Sequence, residues 1–267
     1  MILALIATAS CFAPADSWRT DRVWYDGLAE KCTYEATRTI YGAERRYEAY
    51  AYTNKERVDP RTGVKTDAED GLEVFKHHWS ERVPTERYDY DFSTMTYARA
   101  TDLAVWKLTA STQEDCGASF KEVWRDGSDL RWFESVYFPG AGRRDGKLGG
   151  DTVLFDGLTL TLRGFDFENR KDLDLSLLPM QKDTRAVSFE RERRTVRYVG
   201  TSELDLPVGR VRAHELALLK PDASVEARYW FAADESAPWA HALVRFEGPQ
   251  GITYRLAKHE RLAYWKR

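Results

Sequence analysis

The sequence predicts an all-β chain, an antiparallel closed or half-open barrel of about 12 strands with at most one or two short helices. Three observations carry this: apolar and polar residues alternate with period two, turn residues recur between the alternating runs, and aromatic residues are abundant. In Tyr88-Asp89-Tyr90-Asp91-Phe92, three aromatics face one side and two carboxylates the other. Leu173, Leu175 and Leu177 alternate in the same way with Asp172, Asp174 and Ser176. Strands with one apolar and one polar face belong to antiparallel sheets, whereas strands of parallel α/β sheets are apolar on both faces. Aromatics make up 13% of the chain, with nine Trp and fourteen Tyr, and such residues favour strands.

Taken in order, alternation or β-rich composition marks Leu28–Tyr41, Tyr47–Thr53, Val74–Trp79, Tyr88–Phe92, Leu103–Ser111, Phe120–Trp124 and Leu130–Phe138. After these come Leu173–Leu177, Ala186–Val199, Val211–Leu219, Val225–Phe231, Leu243–Glu247 and Ile252–Leu256. Asp59-Pro60, Asp126-Gly127, Pro207-Val208-Gly209 and Gly248-Pro249 supply turns between them. Asp151–Phe165 is the one helix candidate, and Gly157 weakens it. The glycine-rich stretch 138–151 reads as a connector or long hairpin loop. Gly140, Gly142 and Gly146 lack the spacing of a phosphate loop, and no Lys-Ser/Thr pair opens a helix after them. Residues 16–267 therefore read as one β-domain, with a potential division at 138–151.

The first fifteen residues read as an address. Ile2 to Ala9 is an apolar run, far short of the roughly 20 residues that span a bilayer but of signal-peptide length. Ala13-Pro14-Ala15 is an A-x-A cleavage site, which assigns 1–15 to a signal peptide. Thr8-Ala9-Ser10-Cys11 is an alternative exit resembling a lipoprotein box, with Cys11 as the lipidated residue. An ordinary apolar first strand is the bland reading. Export places the protein in the periplasm, anchored at the outer membrane, or outside the cell.

Charge excludes several functions. Forty basic and 43 acidic residues nearly balance, so nothing argues for nucleic acid, and no polybasic run argues for anionic lipid. With a mean hydropathy of −0.58 and no further long apolar run, membrane contact is expected only through a lipid anchor. Removal of the leader leaves Cys32 and Cys116, which in an oxidising compartment read as one disulfide, with two free thiols as the alternative. Neither has a Cys or His nearby at metal-ligand spacing.

No nucleophile elbow, zinc-binding His-Glu pair or nucleotide loop is present in the sequence, so no catalytic residue, metal or cofactor is assigned. His77-His78 falls in a strand, where neighbours point to opposite faces. Asp89 and Asp91 share a strand face about 7 Å apart, near the separation used in glycoside hydrolysis. The plainer reading is a solvated face opposite an aromatic core stripe. Glu190-Arg191-Glu192-Arg193-Arg194 is a mixed charge run of the kind that protects an exposed strand.

Trp24-Tyr25-Asp26-Gly27-Leu28-Ala29-Glu30 and Ser111-Thr112-Gln113-Glu114-Asp115-Cys116-Gly117 resemble motifs of a family of exported bacterial proteins. Many of these are lipoproteins, and some carry the label septum formation inhibitor. Leu28 stands where that family has lysine, and Asp115 where it has tryptophan. Pro207-Val208-Gly209 with the strand after it, and Tyr229-Trp230-Phe231, are similar to a secreted β-domain family of unknown function. These resemblances imply an envelope-located barrel of LolA/LolB-like or lipocalin-like kind, and no established activity.

Two functions follow as expectations. The first is a non-enzymatic envelope module binding an amphiphilic lipid or glycan ligand, with the stripe Tyr88, Tyr90 and Phe92 lining its groove. The second is a structural or assembly protein that contacts another envelope protein. An enzyme acting on envelope glycans through Asp89 and Asp91 is the third.

Overall fold

The computed structural model describes residues 16–233 and 239–266. The expected leader 1–15 and its Cys11 lie outside them. Among the described residues fifteen strands, rather than about 12, form a single sheet nearly closed into a barrel. Eight make a first meander: β1 (Ala29–Ile40), β2 (Ala43–Val58), β3 (Leu72–Pro84), β4 (Asp89–Arg99), β5 (Val105–Glu114), β6 (Gly117–Asp126), β7 (Asp129–Val136) and β8 (Gly142–Leu148). Seven make the second: β9 (Thr152–Leu154), β10 (Asp172–Leu178), β11 (Glu192–Leu206), β12 (Gly209–Leu219), β13 (Val225–Ala232), β14 (Leu243–Glu247) and β15 (Thr253–Leu262). Neighbours pair antiparallel throughout, except that β9 runs parallel to β10. The two meanders join through the β1–β15 ladder.

Connectivity explains the closure. The sheet's two edges are β8 and β9, and Gly149, Gly150 and Asp151 alone separate them in sequence. Four backbone steps span at most ~14 Å, so the sheet must curl until its edges meet. At this turn the backbone of Gly150 passes so close to Ser128 that a Cβ would sit 1.6 Å from its carbonyl oxygen. Arg125 secures the turn by donating to the carbonyls of Ser128 (3.2 Å) and Gly150 (3.1 Å). The glycine-rich stretch 138–151 thus carries an edge strand and the closing turn.

Alternation decides which side chains point inward. Along β4, Tyr90, Phe92, Thr94, Thr96 and Ala98 are buried, while the intervening residues face out. The outer face carries cross-strand ion pairs such as Arg82–Asp91, Lys107–Glu122 and Arg197–Asp172, each worth at most about 1 kcal/mol. Among the described residues no helix is long and apolar enough to cross a membrane.

Residues 155–164, ten of the fifteen residues of the helix candidate, form short helical turns. They run through the barrel interior. Leu158 and Leu162 join Tyr34, Trp79, Leu216 and Phe246 in the main core, and Leu160 packs with Trp18, Trp24 and Phe75 at one end. Arg163 ends this segment in a buried pair with Glu30 of β1, at 2.7 and 3.3 Å. Its guanidinium also lies 4.6 Å from the Trp18 ring. Residues 16–25 and Arg163 therefore close the bottom of the barrel. The opposite end, where the β1–β2, β3–β4 and β5–β6 turns gather, is the mouth.

His77 of β3 ties the central segment to the wall, its Nε2 lying 3.2 Å from Thr159 Oγ1. Its Nε2 accepts from Trp79 Nε1 (2.8 Å), which leaves the ring proton on Nδ1 to donate to Thr53 Oγ1 (2.8 Å). A second proton on Nε2 would break the Trp79 bond. Burial, and then the nearby charge of Arg163, push the His77 pKa down to about 3.

Two predictions follow from this interior. Arg163→Ala leaves Glu30 buried without its counter-charge and should destabilise the fold by about 3–5 kcal/mol in urea denaturation. The Glu30→Gln, Arg163→Met double variant should recover most of that loss, and failure to do so would mean that the pair matters through shape. The second concerns pH. The unfolded chain protonates His77 near pH 6.5 while the folded chain refuses the proton until about pH 3, so stability falls as pH drops between those values, by about 1.4 kcal/mol per unit from this residue. In His77→Gln the slope of stability between pH 6 and 4 should be shallower by that amount, and an unchanged slope would refute the assignment.

Candidate functional site

The mouth holds a cavity of about 410 Å³, lined by Arg38, Ile40, Tyr41, Tyr90, Phe92, Glu114, Cys116, Phe138, Asp183, Arg185 and Gln250 among others. It is assembled from turns and strand ends. The β1–β2 connection has two residues, Tyr41 and Gly42, both with positive φ (54° and 73°), as a tight hairpin matched to strand twist requires. That turn folds the exposed Tyr41 side chain over β4. Its hydroxyl bonds that of Tyr88 at 2.9 Å and that of Tyr90 more closely.

Tyr88, Tyr90 and Phe92 form a continuous aromatic wall, with ring centroids 5.5 and 6.0 Å apart. Tyr90 and Phe92 face the cavity, whereas Tyr88 sits at the rim and lines a neighbouring depression of about 510 Å³. The sequence-predicted stripe is therefore brought together at the mouth. Burial, with hydrogen bonds to Tyr41, Tyr88 and Glu114, pushes the Tyr90 pKa up. Tyr90 therefore stays a neutral phenol at physiological pH.

The floor is charged. Arg38 stacks its guanidinium on Phe92, 3.8 Å from the ring centre, and donates to Gln250 Oε1 (2.6 Å) and to the Lys182 carbonyl (3.2 Å). Beneath it Glu81 is fully buried and accepts from Tyr47 (3.0 Å), Tyr254 (2.5 Å) and Lys182. Burial alone would raise the Glu81 pKa, but Lys182 and Arg38 outweigh it and hold this carboxylate below its usual range. One wall is the loop 179–191. Buried Lys121 of β6 donates to its carbonyls at Gln181 (3.0 Å), Asp183 (3.1 Å) and Arg185 (2.7 Å), and Phe189 stacks on Trp132 at 3.8 Å. Below the floor a small void of about 30 Å³ beside Asp156 and Tyr229 has room for about one water.

The arrangement can grip a molecule with both a flat face and polar groups: aromatic rings on one side, and Arg38, Glu114, Asp183, Arg185 and Gln250 on the other. Sequence reasoning missed these polar residues and Tyr41. The Tyr41-Gly42 pair between two alternating runs was the one local signal for the hairpin. The polar floor comes from four distant stretches, which no local pattern links.

Other expected residues fall elsewhere. Asp89 and Asp91 lie on the outer face and share Arg82, which bonds Asp91 at 2.8 and 3.1 Å and lies 3.9 Å from Asp89. His78 points outward to Ser93 (3.0 Å), opposite to His77. Cys32 and Cys116 are free thiols, a correction to the expected disulfide. Cys32 points into the barrel from near the lower end of β1, where burial pushes its pKa up. Cys116 is exposed in the β5–β6 turn, with Sγ 3.6 Å from the Tyr88 hydroxyl.

Compared with protein-family models, with curated proteins and with solved structures, the chain matches none.

The two cysteines give a direct check. In a Cys11→Ser chain, Ellman's reagent should titrate one thiol in the native protein, at Cys116, and two after unfolding. Zero thiols under both conditions would restore the disulfide.

Proposed function

We propose that this is an exported cell-envelope protein that binds the polar, ring-bearing part of an amphiphilic ligand, lipid or glycan, at the mouth of its barrel. The observation that carries the reading is the cavity itself, in which Tyr90 and Phe92 face arginine, carboxylate and amide groups. Its volume lies in the range of small-molecule sites. The ligand sits in the mouth rather than threading the barrel, because the lumen below is occupied by the chain's own residues 155–164. Envelope location draws on the apolar leader with its A-x-A site or Cys11, and on the resemblance to exported bacterial proteins. The ion-paired outer face agrees with a wall in water, held to a membrane at most through an anchor.

A filled lumen also favours a second reading, a structural or assembly role. Tyr41 and Tyr137, exposed at 70% and 75% near the mouth, would then contact another envelope protein. Asp89 and Asp91 line the depression beside Tyr88, but both face Arg82 in ion pairs, which gives the glycan-acting enzyme less support than either reading above.

Native mass spectrometry of protein made with its own leader in an export-competent host tests the binder. A retained small mass is expected, and glycan fragments or lysophospholipid should compete for it. Tyr90→Ala with Phe92→Ala should weaken binding about ten- to hundredfold, from two lost ring contacts. A ligand-free mass with no affinity for either probe, or unchanged binding by the variant, would sink this reading. A co-purifying protein would support the assembly role instead.

A further inference from the structure

Near the bottom of the barrel three potential metal ligands converge from the two meanders. Glu30 and Cys32 occupy successive inward positions on β1, and His259 of β15 is the register partner of Cys32. One carboxylate oxygen, the thiol and one imidazole nitrogen all lie within 4.8 Å of one another. Glu30 and Cys32 are each 2% exposed, and the His259 side chain is 10% exposed.

Two details separate this group from an ordinary buried ion pair. First, His259 Nε2 is buried and makes no hydrogen bond. It faces Glu30 Oε2 at 3.4 Å, yet the geometry does not complete a bond, and an unsatisfied buried nitrogen carries a free-energy cost. Second, that spacing matches a metal. With bonds of about 2.0–2.2 Å, the nitrogen and oxygen ligands of a tetrahedral ion lie about 3.3–3.6 Å apart. The thiol lies within 4.8 Å of both, so it has at most about 1 Å to close to reach zinc-ligand spacing. Arg163 already donates to Glu30 at 2.7 and 3.3 Å, the outer support that ligating carboxylates commonly have.

We propose that Glu30, Cys32 and His259 form a binding site for one zinc-class divalent cation, which staples β1 to β15. A thiolate, an imidazole and a carboxylate suit a borderline-soft ion, and three protein ligands leave a fourth position for water. Binding releases the thiol proton: Cys32 goes from S–H to metal-bound thiolate, with the proton passing to solvent. Thiolate and carboxylate then balance the ion's two positive charges, and Arg163 stays paired with Glu30. The consequence is mechanical, because the β1–β15 ladder is where the two meanders are joined.

The test uses reduced full-length protein in which Cys11 and Cys116 are serine, titrated with Co²⁺ and then Zn²⁺. One Co²⁺ per chain should bind with a near-ultraviolet thiolate-to-cobalt band, which Zn²⁺ abolishes by displacement. Zn²⁺ at a hundredfold excess over its dissociation constant should raise Tm by about 5 °C or more. Cys32→Ser should lose both the band and the shift. Should that variant fail to fold, His259→Gln keeps Cys32 in place and should weaken Co²⁺ binding at least tenfold. Absence of the thiolate band, its persistence in Cys32→Ser, or full affinity in His259→Gln would each overturn the proposal and leave a Glu30–His259 ion pair.

Discussion

Barrel diameter grows with strand number, and about eight strands is the size at which inward side chains fill the interior unaided. A nearly closed sheet of fifteen strands encloses more than its own walls can fill. Everything else in this molecule follows from that shortfall. Between β9 and β10, where a parallel connection needs a crossover, the chain sends its crossover through the lumen instead of over the outside. Leu158, Leu160 and Leu162 thereby reach core clusters that would otherwise surround voids. The loop 179–191 fills the upper part in the same way.

Filling a lumen with backbone brings polar groups into the interior, and these must be satisfied. The charges inside the barrel meet that demand. Lys121 supplies three hydrogen bonds to loop carbonyls, and Asp156 accepts from the backbone nitrogens of Gln181 (2.6 Å) and Lys182 (3.3 Å). Glu30 and Glu81 then balance Arg163 and Lys182. Such groups add little net stability over apolar packing of the same shape. What they fix is position: Arg163 sets the lower end of the central segment, and Lys182 sets the upper loop against β3 and β15. One sheet, one crossover and one loop are held in a single register by a few buried charges.

Most of the sheet was legible because its strands are half wet. Alternation located Leu243–Glu247 to the residue, and thirteen of the strands overlap a stretch of alternating or β-rich sequence. The two it missed have physical reasons to be silent. In β8, Gly-Arg-Arg-Asp-Gly-Lys-Leu is an edge with hardly any buried face, and β9 is three residues long and gets its pairing from β10. The helix candidate marked the crossover but began too early, since Thr152–Leu154 is strand. The disulfide expectation failed because pairing is a matter of distance in space, and cysteine counting carries no such information. The aromatic stripe was visible as a stripe. Its position at the mouth depends on Tyr41, Arg38 and the loop 179–191, which lie far apart in sequence.

The mouth is where the filling stops. Trp18 and Trp24 seal the bottom, and Glu81 with its four cationic and phenolic neighbours seals the floor, so the cavity of the mouth lies above Arg38. The loop that walls this volume is the same loop that Lys121 and Trp132 hold against the first meander. Since β8 and β9 face each other across the seam without a ladder, the loop also bridges the barrel where its own strands do not pair. Cavity shape and barrel closure are thus set by one segment. A change that loosens the loop from Lys121 alters both together, whereas one in the Tyr88–Phe92 wall alters the cavity alone, because β4 lies four strands from the nearer edge of the sheet.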